Sequence, residues 1–201
     1  MTKDAPAAVG RFWQWFTAND ERLFHFEQDL KPTFDILTAA MNEVDPDLTF
    51  EFGPVEDGQR EFVISAGGIT RAFDTVRLLA AAAPAMPRWR VVAFRPRRAL
   101  VNVIEFGGIR VDPATVQYSL LTSKTEVGLY LFIPGYDEED SRYGQAGYLL
   151  LDEALGEYDV ETKVGMIEMF ASETQTGGPR YSLSELPDHL DGVFRRLTAG
   201  G

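Results

Sequence analysis

Between Glu21 and Val44 an apolar stripe runs through Leu23, Phe26, Leu30, Phe34, Leu37, Met41 and Val44. Each lies three or four positions after the last, the spacing of a helix that buries one face. Pro32 sits inside this stripe, where it denies a hydrogen bond and crowds the preceding turn. The pattern fits either one kinked helix or two helices with Pro32 in the first turn of the second. Just upstream, Phe12, Trp15 and Phe16 share a helical face, with Trp13 to its side. A helix is expected from about residue 11, after a disordered leader over 1–10. Asn19 or Asp20 suits the cap of the next helix.

Downstream the period shortens. Leu48–Phe52 and Arg60–Ser65 read as a hairpin around Glu56–Asp57–Gly58. Phe73, Val76, Leu79, Ala80 and Ala83 return to helical spacing, stopped by Pro84 and Pro87. Strands are expected at Trp89–Phe94, Val101–Phe106, Thr115–Leu121 and Val127–Ile133. The last is apolar on both faces and so reads as central. A helix is expected from Asp137–Asp140 to Leu155, capped by Gly156, then a long strand over Val160–Phe170 and a loop over Thr174–Pro179. Ser182-Leu-Ser-Glu185 has the form of a capping box, opening a helix with Leu186, Leu190, Val193 and Leu197 on one face.

Helix and strand do not alternate regularly enough for a doubly wound sheet. The expected fold is α+β: a mostly antiparallel sheet of about six or seven strands with helices packed mainly on one face. One domain is expected over 11–198, with any weak subdivision near 107–113. Val63-Ile-Ser-Ala-Gly-Gly-Ile69 echoes Val103-Ile-Glu-Phe-Gly-Gly-Ile109, which reads as two similar strand exits rather than a duplication.

Composition narrows the chemistry. The chain has 201 residues, 45% of them hydrophobic and 12% aromatic, enough for a sizeable core. It has no Cys, which excludes disulfides, thiolate nucleophiles and Cys-ligated metals. The formal net charge of −12 disfavours nucleic acid and anionic membranes and favours either simple solubility or a basic protein partner. No apolar run reaches the roughly 20 residues of a membrane span. A cytoplasmic protein is expected.

Against that acidity, Arg88, Arg90, Arg95, Arg97 and Arg98 form a basic island around Trp89 and Phe94. Guanidinium forks match carboxylate and phosphate, so Arg95, Arg97 and Arg98, with Trp89, are the candidate anion or partner site. The alternative is pairing with the chain's own carboxylates. Asp137-Glu-Glu-Asp140 reads first as a helix start that complements the dipole. Glu51, Glu105 and Glu168 interrupt apolar strands, but nothing places them together for acid–base work. His25 and His189 each lack a second ligand at helical spacing. Ser65 and Ser141 have no nucleophile-elbow context, and neither Gly-Gly pair fits a dinucleotide fingerprint. No catalytic residue, metal or cofactor is expected. The Phe12–Phe16 aromatics are either core or an exposed hot spot.

The segments Phe12-Trp-Gln-Trp-Phe16, Phe62–Ile69, Trp89–Pro96 and Gly156-Glu-Tyr-Asp-Val160 resemble a family of uncharacterised bacterial proteins. The resemblance covers roughly 10–170. It implies an intracellular bacterial protein and hands over no catalytic residue. The expected function is that of a non-enzymatic interaction protein with a protein partner or a second copy. A small enzyme or anion-binding domain built on Arg95, Arg97 and Arg98 is the alternative.

Overall fold

The aromatic stripes of the first third form helices in the computed structural model, which describes residues 5–123 and 126–199. Helix α1 spans Ala5–Ala18, α2 spans Asp20–Phe24, and α3 spans Leu30–Asn42, with a single 3-10 turn at Phe26–Gln28. The leader expected over 1–10 is therefore helical from Ala5; residues 1–4 lie outside the described residues. Ala5, Ala7 and Ala8 are strong helix formers, and Pro6 is tolerated in a first turn because its missing N–H would find no partner there. The two-helix reading of Pro32 holds, since it is the third residue of α3.

The chain divides into two compact units, Met1–Arg95 and Pro96–Gly201. The 107–113 segment lies within the second unit, where Gly107–Gly108 turns a hairpin.

In the first unit, β1 (Thr49–Glu56) pairs antiparallel with β2 (Gln59–Ser65), and β2 pairs parallel with β3 (Trp89–Ala93). The two-residue turn Asp57–Gly58 has φ of 50 and 78, the left-handed geometry that suits tight hairpins. A bulge at Gly53–Pro54 breaks the register of β1, an edge strand that cannot use a proline N–H. Helix α4 (Phe73–Ala81) makes the crossover from β2 to β3. Strand β3 stops one residue short of expectation, because Phe94 takes φ 65. That conformation costs a bulky residue about 1–3 kcal/mol. Its N–H donates a hydrogen bond to the Ile64 carbonyl (2.8 Å), and that bond and its packing on Phe73 (4.7 Å) hold it. The core gathers Phe12, Trp13, Phe16, Leu37, Phe62 and Trp89 between helices and sheet.

The second unit opens with a short hairpin, β4 (Ile104–Phe106) with β5 (Ile109–Val111). Its main sheet has the order β8-β7-β6-β9, from β6 (Gln117–Thr122), β7 (Val127–Ile133), β8 (Met166–Ala171) and β9 (Tyr181–Ser182). Strand β7 is central, as its two apolar faces predict, antiparallel to β6 and parallel to β8. Helix α5 (Ser141–Leu155) is capped by the Asp140 carboxylate, which accepts from the Arg142 amide, and ends at Gly156 with φ 88. The strand expected over Val160–Phe170 is corrected. Glu157–Lys163 forms α6, which buries Val160, and only Met166–Ala171 is extended. Gly156 starts α6 and Gly165 separates it from β8, so the β-branched residues between them are overridden by packing. The capping box is formed at Ser182 and Glu185, leading into α7 (Leu186–Ala199).

The fold is thus α+β, but the single six- or seven-stranded sheet is corrected to sheets of three, two and four strands, with two parallel pairs. Both units contain the order β-β-α-β with the last strand parallel to the second: β1-β2-α4-β3 and β6-β7-α5-α6-β8. The Gly-Gly echo is out of step with this recurrence. Gly67–Gly68 follows β2, whereas Gly107–Gly108 turns β4 into β5.

Candidate functional site: the groove between helices α1 and α3

The arginine island is spent largely on pairing with the chain's own carboxylates. Arg88 bonds Asp20 (2.5 Å) and Glu21 (2.9 Å) and lies 4.4 Å from the centre of the Phe24 ring. Those hydrogen bonds, Asp20's first, raise its pKa further. Trp89 is buried, and its indole N–H donates to Asp20. Arg90 pairs with the buried Glu61 at 2.5 Å. Arg95 pairs with Glu51. In the second unit Arg97 grips Asp191 bidentately at 2.9 and 3.0 Å, and the Arg98 amide donates to the Glu153 carbonyl at 2.7 Å. Arg95 and Arg97 therefore meet separate carboxylates, on either side of the division between units. No arginine of the island lines the hollow beside Leu121 and Met166 or the one between α1 and α3.

The Arg97–Asp191 pair has a pH signature. The hydrogen bond from Arg97 holds the Asp191 carboxyl below its usual value. A lowered carboxylate stabilises the fold above the unfolded-state pKa and loses that contribution as pH falls through the folded one. Both side chains are a third or more exposed (33% and 41%), so the pair contributes at most about 1 kcal/mol. Arg97→Ala should therefore lower stability modestly at neutral pH, and the deficit should vanish in acid below the Asp191 titration. Urea unfolding of both proteins across pH reads this directly.

The other candidates separate as well. Glu51 is taken by Arg95, and Glu105 lies 3.7 Å from Arg110. Glu168 sits opposite Tyr130 in the β7–β8 register. Asp140 is a helix cap held low by the Arg142 hydrogen bond. His25 lies 3.2 Å from Glu21. His189 Nδ1 meets the Tyr118 hydroxyl at 2.9 Å, and burial pushes that hydroxyl's pKa up. Among the described residues no group of three His, Asp or Glu is placed to hold a metal ion.

The N-terminal aromatics divide between the two readings. Phe12, Trp13 and Phe16 are buried, and the Trp13 indole donates to the Leu79 carbonyl at 2.9 Å. Trp15 is only half-buried, its ring 6.3 Å from Phe12. It borders an open hollow of about 500 Å³ between α1 and α3. Helix α1 lines it with Ala8, Arg11, Phe12 and Trp15, and α3 with Ile36, Ala39, Ala40 and Glu43. Each set falls at i, i+3, i+4 and i+7, two turns of one helical face. The alanines keep the walls low, Trp15 and Ile36 supply apolar surface, and Arg11 and Glu43 supply one charge of each sign. Only those two lining residues are ionic, and none is a nucleophile. Sequence reasoning missed this groove. Ala8 lies in the stretch read as a leader, and Ile36 lies off the stripe that marks the buried face of α3.

Compared with protein-family models, with curated proteins and with solved structures, the chain matches none. The functional reading therefore rests on geometry and chemistry alone. In the described residues no helix is long and apolar enough to cross a membrane.

Proposed function

We propose that this is a non-enzymatic interaction protein whose α1–α3 groove receives an amphipathic helix of a protein partner. The observation that carries the reading is the matched pair of faces, 8/11/12/15 and 36/39/40/43, around an open apolar hollow. Two helices with low alanine walls leave a trough into which a third helix can lay apolar anchors at i, i+3, i+4 and i+7. A half-buried tryptophan at the rim is the residue type that most often dominates such contacts. The fitting partner offers a carboxylate toward Arg11 and a cation toward Glu43.

The test uses a labelled amphipathic peptide with leucines at i, i+3, i+4 and i+7, flanked by one Glu and one Lys. Fluorescence anisotropy should show saturable binding to the full chain. Ala39→Trp fills the trough from an exposed position, and it should weaken binding at least about tenfold, equivalent to 1.4 kcal/mol, with the thermal melt unchanged. Binding that ignores Ala39→Trp, or no binding, contradicts the reading.

A further inference from the structure

We infer that the helix this groove receives belongs to a second copy of the chain, an inference that rests on the groove reading above. The argument begins with charge. In a chain of net charge −12, the segments 5–18 and 30–43 carry Arg11, Lys31, Asp35 and Glu43, two of each sign. These two segments are together neutral in an acidic chain. A basic partner is drawn to excess negative charge, and these two segments supply none.

Lys31 and Asp35 satisfy each other at 2.7 Å, one turn apart on α3. That leaves Arg11 and Glu43, both exposed and both lining the hollow, with no ion pair among the described residues. A groove bearing one cation and one anion beside an apolar centre is self-complementary. Across a two-fold axis, residue i meets residue j and j meets i. Arg11 would then face Glu43 of the partner subunit, and Glu43 would face the partner subunit's Arg11. Trp15, Ile36 and Ala39 would close the centre. Exposed ion pairs contribute little, so the two pairs set orientation and apolar burial sets affinity.

The rest of the surface opposes the pairing, because two acidic chains repel. Salt screens that repulsion, since the Debye length falls from about 10 Å at 0.1 M to about 3 Å at 1 M. Dimerisation should therefore strengthen with salt, whereas a partner held by opposite charge would be lost with salt.

Sedimentation equilibrium of the full chain at low and high NaCl tests the inference. The expected result is a monomer–dimer equilibrium that tightens with salt. Ile36→Glu, checked for folding by circular dichroism, should weaken it at least about tenfold. Arg11→Glu and Glu43→Arg should each weaken it by placing like charges together. The double variant should recover most of the loss, which a purely structural role of either residue would not produce. A chain monomeric at every concentration and both salt levels overturns the inference, as does a dimer untouched by Ile36→Glu or a double variant no better than its singles. If the monomer still binds the peptide in an Ala39-dependent way, only the second copy is refuted. If that binding is absent too, the groove reading falls with it.

Discussion

Phe62→Ala should lower the stability of the chain by about 3–5 kcal/mol, the usual cost of truncating a buried phenylalanine. Phe62 is fully buried in the middle strand of the first unit's sheet. Its ring lies 4.9 Å from Phe16, 5.4 Å from Phe52, 6.2 Å from Trp13 and 6.4 Å from both Phe12 and Trp89. It therefore joins α1 to all three strands. Truncation removes five aromatic neighbours at once, and each well-oriented pair adds about 0.5–1.5 kcal/mol beyond burial. The rings around it also pack against one another, so the void has little room to collapse. Chemical denaturation should show a lower midpoint, and hydrogen exchange should show lost protection along β2. A deficit below about 1 kcal/mol would contradict this packing.

Leu131→Ala should cost about 2–5 kcal/mol in the second unit. Leu131 is fully buried on β7, opposite Tyr118 of β6 and Met169 of β8. It packs in the cluster with Leu129, Ile133, Ala146 and Leu150, so α5 covers the face it occupies. Strand β7 holds an antiparallel and a parallel neighbour together. A void there should loosen both pairings, read as faster amide exchange in β6 and β8 together. The same substitution at the half-exposed Leu121 of β6 should cost far less.

How much of this was legible depends on the range of the signal. Local chemistry read true. Asp140 and Gly156 bound α5, Ser182 and Glu185 form the capping box, and Asp57–Gly58 turns the first hairpin. Each works through neighbours a few residues away. The helix at Glu157–Lys163 did not read true, because Val160, Thr162 and Val164 look like strand while burial of Val160 decides the outcome. Sheet order was beyond reach for a related reason. The β2–β3 and β7–β8 pairings are parallel and need a helical crossover, so no local turn announces them.

The site divides the same way. The arginine island was visible as a charge anomaly, and the carboxylates that meet Arg95 and Arg97 are distant in sequence. The groove was hidden for the opposite reason. Its walls are alanines, which carry little signal, and its one large aliphatic residue, Ile36, sits outside the buried stripe of α3. A helix with two apolar faces, one turned to the core and one open, reads from its stronger face.

The most direct test of the groove as the recognition surface is a map of amide chemical-shift changes as the amphipathic peptide is added. The account predicts the largest changes at Arg11, Trp15, Ile36, Ala39 and Glu43, together with displacement of any dimer seated there. Largest changes along Arg88–Arg98, or none on α1 and α3, would contradict it.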